Sequence, residues 1–214
     1  MSKRVLVTGA SSGIGLALCK LLLRDHGCHV YLGARCAAKG AACVKEVLSE
    51  IPAAAGRIEM VVIDVSDDAS VAAAAATLKS TGVSLYALVN NAGVGLAQPG
   101  APSSPDGILG TNFYGVRRVT EAIVPLIDPQ HGRVVNVSSG AASNFVKVMM
   151  TMTILFEPNN TIVKGQDAAT KLLFSQPASW EDLEAGVMSA VASGNLGWGN
   201  GYAFRPFRHC IFAT

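Results

Sequence analysis

The chain has 214 residues, half of them hydrophobic, and a formal net charge of +2; that is enough to bury one sizeable core and short for two ordinary domains, so a single domain is expected. Its charges are scattered and form no basic runs, which excludes the electrostatic footprint of a nucleic-acid binder and points to a small-molecule partner. Cys19, Cys28, Cys36, Cys43 and Cys210 form no C-x-x-C pair or zinc-like spacing and read as reduced thiols of an intracellular protein, with no metal site.

In chain order, Met1-Ser2-Lys3-Arg4 runs straight into a strand-like segment, leaving no room for a secretory leader, and a cytoplasmic location is expected. Arg4 to Thr8 is the first strand, followed by a helix whose stripe is Ile14, Leu18, Leu21 and Leu22. Cys28 to Ala34 is the second strand, and the next helix faces inward with Val44, Val47, Leu48 and Ile51. Ile58 to Asp64 is nearly continuously apolar, the pattern of a strand buried on both sides.

A third, alanine-rich helix carries Val71, Ala75 and Leu78, and Leu85 to Asn90 is the fourth strand. Gln98 to Gly107 is rich in Pro, Gly and Ser and reads as a loop. The helix after it points Val116, Val119, Ile123 and Leu126 inward, and Arg133 to Val137 is the fifth strand. Beyond it the pattern loses regularity. The apolar run Val146 to Phe156 contains Lys147, falls short of the roughly 20 residues of a membrane span, and reads as core or interface. One helix stands out later, with Ser179 as N-cap and Gly194 as its end; a Gly-rich loop runs to Gly201, and the tail to Thr214 has no clear period. Alternation of strands and helices predicts an α/β fold, a doubly wound parallel sheet in three αβα layers.

Thr8-Gly9-Ala10-Ser11-Ser12-Gly13-Ile14-Gly15 stands where strand one turns into helix one. Glycines there allow a tight turn and let a pyrophosphate approach bare backbone, while the helix N-terminus offers N–H groups and positive potential. No Lys-Ser/Thr follows the last glycine, which argues against a phosphate-hydrolysing loop. The end of strand two is Gly33-Ala34-Arg35. A carboxylate at that place would accept from an NAD ribose and repel a 2′-phosphate; Arg35 instead offers a guanidinium fork to that phosphate, which favours NADP(H).

With the spacing Gly-x-x-x-Gly-x-Gly, Asn90-Asn91-Ala92-Gly93, Asn112 within Thr111-Asn112-Phe113-Tyr114-Gly115, and Val135-Asn136-Val137-Ser138-Ser139, the chain resembles the short-chain dehydrogenase/reductase family. The likeness is greatest to its monomeric carbonyl reductases, which favours a monomer. It covers residues 3–140 as a well-patterned Rossmann core, with 141–201 as an insert and 202–214 as an atypical tail. The resemblance implies that Gly9, Ser11, Ser12, Gly13, Ile14 and Gly15 hold the pyrophosphate and ribose, Asp64 and Val65 the adenine, and Asn90, Asn91, Ala92 and Gly93 cofactor and strand contacts. The alternative roles, less favoured by the motif context, are that Asp64 caps the turn after strand three and that Asn90 and Asn91 tie loops together.

The resemblance also implies a carbonyl reduction in which Tyr202 donates a proton, Ser139 polarises the carbonyl and Asn112 holds a water in a proton relay. Tyrosine's ordinary pKa of about 10 is lowered in the family by a lysine four residues on. Here that position is Pro206, which carries no charge and disfavours a helix around Arg205. The family continues past this point into a sixth strand, a covering loop and a seventh strand, so the last strands are expected to be lacking. Two readings stay open: an NADPH-dependent reductase of an aldehyde, ketone or quinone, and a truncated, catalytically weak or silent NADP(H)-binding protein.

Overall fold

The computed structural model describes residues 2–95 and 104–137. The expected helix after Ser179, the insert, and Ser139, Tyr202 and Pro206 lie outside these residues.

Five parallel strands form one sheet: β1 (Arg4–Val7), β2 (His29–Ala34), β3 (Ile58–Val62), β4 (Ala87–Asn90) and β5 (Arg133–Asn136), in the order β3-β2-β1-β4-β5. The helices between them are α1 (Gly13–Arg24), α2 (Ala37–Glu50), α3 (Asp68–Ser80), α4 (Pro105–Asn112) and α5 (Tyr114–Ile123). Side chains alternate across the strands and build two cores. Val5, Val7, Val30, Leu32, Ala87 and Val89 pack with Cys19 and Leu23 of α1 and Cys43 and Val47 of α2. On the other face, Leu6, Tyr31, Val61 and Leu88 meet Val71 and Leu78 of α3 and Val119 and Ile123 of α5. The expected Rossmann-type, doubly wound α/β architecture is present over the described residues.

Several details depart from the expectation. Ile14 and Leu21 of α1 are exposed, at 72% and 40%, and the inward face is Gly15, Cys19 and Leu23. Gly15 sets this rotation: a Cβ there would lie 2.5 Å from Asn91 Nδ2 and 2.7 Å from the Gly9 carbonyl, so only a residue without one can touch the turn. Positions 19 and 23 then follow on the same face at successive turns.

β3 is not buried on both sides. It ends the strand order of the described sheet, with Glu59 and Val62 exposed and Glu59 paired with His29 of β2 at 2.8 Å. The loop expected to last to Gly107 gives way to α4 at Pro105, a residue suited to a helix's first turn because it lacks an N–H. One expected helix is two: Phe113, fully buried with φ −116° and ψ −68°, interrupts the path between α4 and α5.

Smaller interactions complete the frame. Asp67 caps α3 by accepting from the Ser70 amide, and Arg57 donates to the Leu23 and Cys28 carbonyls where α1 ends and β2 begins. The four cysteines described are free thiols, and burial pushes Cys19 up to about 12, leaving it un-ionised and unreactive at neutral pH. No helix among the described residues is long and apolar enough to cross a membrane.

The rotation of α1 and the double core predict opposite outcomes for two truncations. Leu88→Ala, in a fully buried position, is expected to lower unfolding stability by about 2–5 kcal/mol, whereas Ile14→Ala should change it by less than about 0.5 kcal/mol. Urea unfolding of the ligand-free chain measures both; an Ile14 loss as large as that of Leu88 would contradict the helix orientation.

Candidate functional site

Because β2 and β3 build outward from one side of β1 while β4 and β5 build from the other, the chain reverses its direction of growth between β1 and β4. In open α/β sheets that reversal leaves a crevice at the carboxyl ends of the strands. A cleft of about 480 Å³ lies there.

Thr8 holds the crevice's two walls together. Its buried hydroxyl donates to the Val89 carbonyl at 3.3 Å and accepts from the backbone amides of Asn91 and Ala92, each at 3.0 Å. Asn91 returns the link through its side-chain amide, which donates to the Thr8 and Gly9 carbonyls at 2.9 and 3.3 Å. Gly9 has φ +62°, and a Cβ on it would stand 2.7 Å from Ala92 Cα, so this residue is glycine for two independent reasons.

The glycine turn delivers α1 with its first turn free of acidic residues and its N-cap, Ser12, making no side-chain capping bond. The leading N–H groups of a helix have no intrahelical acceptor. Gly9, Ser11, Ser12, Gly13, Ile14 and Gly15 all line the cleft beside them, so the surface fits an anion that the cap itself does not supply.

Arg35 and Lys39 line the cleft at the end of β2. Lys39 was not foreseen from the sequence; it sits in the first turn of α2, four residues after Arg35, and only the observed helix start at Ala37 turns it toward the same space. At the end of β3, Asp64 and Val65 also line the cleft. Burial alone would raise Asp64, but bonds from the Ser66 hydroxyl at 2.6 Å and amide at 2.9 Å, with attraction from Arg35 and Arg118, hold its carboxyl below the usual carboxylate range. The folded value lies below the unfolded one, so this stabilisation is present at neutral pH and is lost as pH falls through the carboxylate range.

The asparagines divide by role. Asn91, Ala92 and Gly93 line the cleft, while the residues lining it do not include Asn90. Its buried amide donates to Thr120 Oγ1 at 3.0 Å and Asn136 Oδ1 at 2.8 Å, tying β4 to α5 and β5. Asn112 is buried behind the cleft, and both ends of its amide are spent on Val94: the oxygen accepts from the amide at 2.9 Å and the nitrogen donates to the carbonyl at 2.8 Å. It thereby holds the segment following Gly93 in place. Val94 and Thr111, also unforeseen, complete this side of the cleft.

Thr8→Val removes the acceptor for two backbone amides and should cost about 1–3 kcal/mol, whereas Thr8→Ser should retain most of that stability. Paired urea unfolding curves test this, and a valine variant as stable as the parent would show that the hydroxyl is dispensable.

Comparison with known proteins agrees with this geometry. The short chain dehydrogenase family model matches residues 3–151. Carbonyl reductase [NADPH] 1 of Bos taurus is 38% identical over 148 residues, covering 66% of this chain and 50% of the relative. Carbonyl reductase [NADPH] 3 of Homo sapiens is 36% identical over 141 residues, 64% of this chain and 49% of the relative. The chain thus spans about half the length of the curated relatives it matches. Among solved structures, a menthone neomenthol reductase from Mentha piperita superposes with TM-score 0.68 at 26% identity, covering 97% of this chain and 79% of that one. An NADPH-bound short chain oxidoreductase with an atypical catalytic center, from Pseudomonas aeruginosa PAO1, gives TM-score 0.58 at 32% identity over 66% and 55% of the two chains. With the glycine turn, Asn90 to Gly93 and Thr111-Asn112 all inside the matched segment, the chain belongs to the short chain dehydrogenase family.

Proposed function

We propose that this chain binds NADP(H) and is built for reduction of a small-molecule carbonyl, an aldehyde, ketone or quinone, to an alcohol. The observation that carries this reading is the pairing, in one cleft, of an acid-free helix start over the glycine turn with Arg35 and Lys39 at the end of β2. The first suits a diphosphate and the second a further phosphate on the adjoining ribose. The NADPH named in two of the relatives supports the same choice. When bound, the dinucleotide supplies a hydride.

The residues' work is to bind, orient and manage a proton. Gly9 to Gly15 cradle the diphosphate, Asp64 and Val65 border the adenine, and Asn91 to Gly93 form the cofactor-facing wall of the cleft after β4. Tyr202 donates the proton to the developing alkoxide, and Ser139 polarises the carbonyl. Asn112 serves the relay through its main chain, because its side-chain amide is occupied by Val94.

Pro206 supports a second reading, in which the chain holds cofactor but turns over weakly or not at all. Lowering a tyrosine by about three units takes roughly 4 kcal/mol of differential stabilisation, and a proline four residues on contributes none of it.

Fluorescence titration with NADPH and NADH tests the binding half. Arg35→Ala and Lys39→Ala should each weaken NADPH about tenfold while leaving NADH within about twofold, the loss expected for a hydrogen bond to a charged group; unchanged NADPH affinity in both variants would refute the phosphate assignment. NADPH oxidation against a panel of quinones, aldehydes and ketones tests the chemical half. Pro206→Lys should raise turnover by at least about tenfold without altering NADPH affinity, and Tyr202→Phe should abolish it. Robust turnover that survives Tyr202→Phe would exclude this mechanism, and NADPH binding without turnover in the parent would favour the second reading.

A further inference from the structure

We propose that Arg118, on α5, is a positioning residue that holds the Asp64–Val65–Ser66 turn in register with the adenine and so determines how strictly the cleft selects that base. The inference rests on the dinucleotide reading above and extends it to a residue that does not line the cleft.

The turn connects β3 to α3 and has local ties: the Asp64 amide donates to Ser70 Oγ at 2.9 Å, and the Asp67 amide to the Asp64 carbonyl at 3.2 Å. Both come from the element that the turn itself leads into, so they shape the turn without anchoring it to the rest of the sheet. Arg118 reaches it from 53 residues away. One guanidinium nitrogen donates to the Val65 carbonyl at 2.8 Å, and Nε donates to the Asp68 carboxylate in the first turn of α3. A guanidinium can grip two acceptors at a set angle, which an ammonium cannot do with the same geometry.

The backbone of α5 is built to allow this approach. Gly115 lies one turn before Arg118, and a Cβ there would stand 2.9 Å from the Val65 carbonyl and 3.1 Å from Val65 Cγ2. Any other residue would push α5 away from the turn and draw Arg118 off its acceptor. Asp64 feels the same guanidinium as a favourable charge, alongside Arg35. Arg118 therefore acts on both residues proposed to border the adenine: on Val65 by a direct bond to its carbonyl, and on Asp64 by holding its turn in place.

An ionised carboxylate discriminates between purines. Adenine presents an exocyclic amine that can donate to it, whereas hypoxanthine presents a carbonyl at the same position, which a carboxylate repels. Displacing the turn should reduce this discrimination more than it reduces binding of the phosphates, which are held elsewhere.

The test is the ratio of dissociation constants for NADPH and its hypoxanthine analogue, measured by fluorescence titration on the parent chain, Arg118→Met and Arg118→Lys. The parent should favour NADPH by about tenfold or more; Arg118→Met should reduce that preference to about threefold or less, mainly by weakening NADPH; Arg118→Lys should fall between. A role confined to packing would weaken both dinucleotides equally and leave the ratio unchanged, and that result overturns the proposal. If Arg118→Met does not fold, as judged by near-UV circular dichroism, the lysine variant decides, and an unaltered ratio in it is equally fatal. A parent chain that binds both dinucleotides with equal affinity also sinks the inference while leaving the cofactor reading intact. Binding of neither would instead defeat the cofactor reading, and this proposal with it.

Discussion

The hydroxyl of Thr8 is the point on which the cleft depends. It sits where β1 ends, in a site closed to water, and satisfies backbone groups from Val89, Asn91 and Ala92 on the neighbouring strand's end. A buried donor or acceptor left without a partner costs more than a made bond gains, so these groups constrain each other strongly. With Asn91 donating back to the Thr8 and Gly9 carbonyls, the glycine turn has little freedom to move away from β4. The start of α1 is thereby aimed into the crevice that the strand order creates.

From that constraint the rest of the site follows by small steps. Gly15 lets α1 rest against Asn91, which turns Cys19 and Leu23 into the core and leaves Ile14 at the mouth of the cleft. The cleft is electrostatically divided: an uncapped helix start at its base, two cations at the end of β2, and an ionised Asp64 at the end of β3 held by Ser66. A ligand with phosphates at two places and a base bearing a donor matches this division. Asn90 and Asn112, which belong to motifs in the same region, use their side chains to hold the frame: one ties β5 and α5 to β4, and the other secures Val94.

By itself the sequence determined the parallel α/β fold, its five strands, the position of the glycine turn and the cationic end of β2, because periodicity, charge and glycine placement are local properties written along the chain. Local pattern also explains where the reading stopped. Ile14 and Leu21 look inward on a helical wheel, yet the contact of Gly15 with Asn91, just past the end of β4, rotates the helix and exposes them. The apolar run of β3 looks like a central strand, but its place at the end of the strand order is a property of the whole sheet. Asn90 and Asn91 are adjacent and chemically identical, and only the opposite pointing of successive strand-end side chains sends one into the frame and the other to the cleft. Lys39 joining Arg35, and Arg118 reaching Val65, likewise depend on how helices dock against the sheet. Long-range packing decides which face of each element is used, and no single segment carries that information.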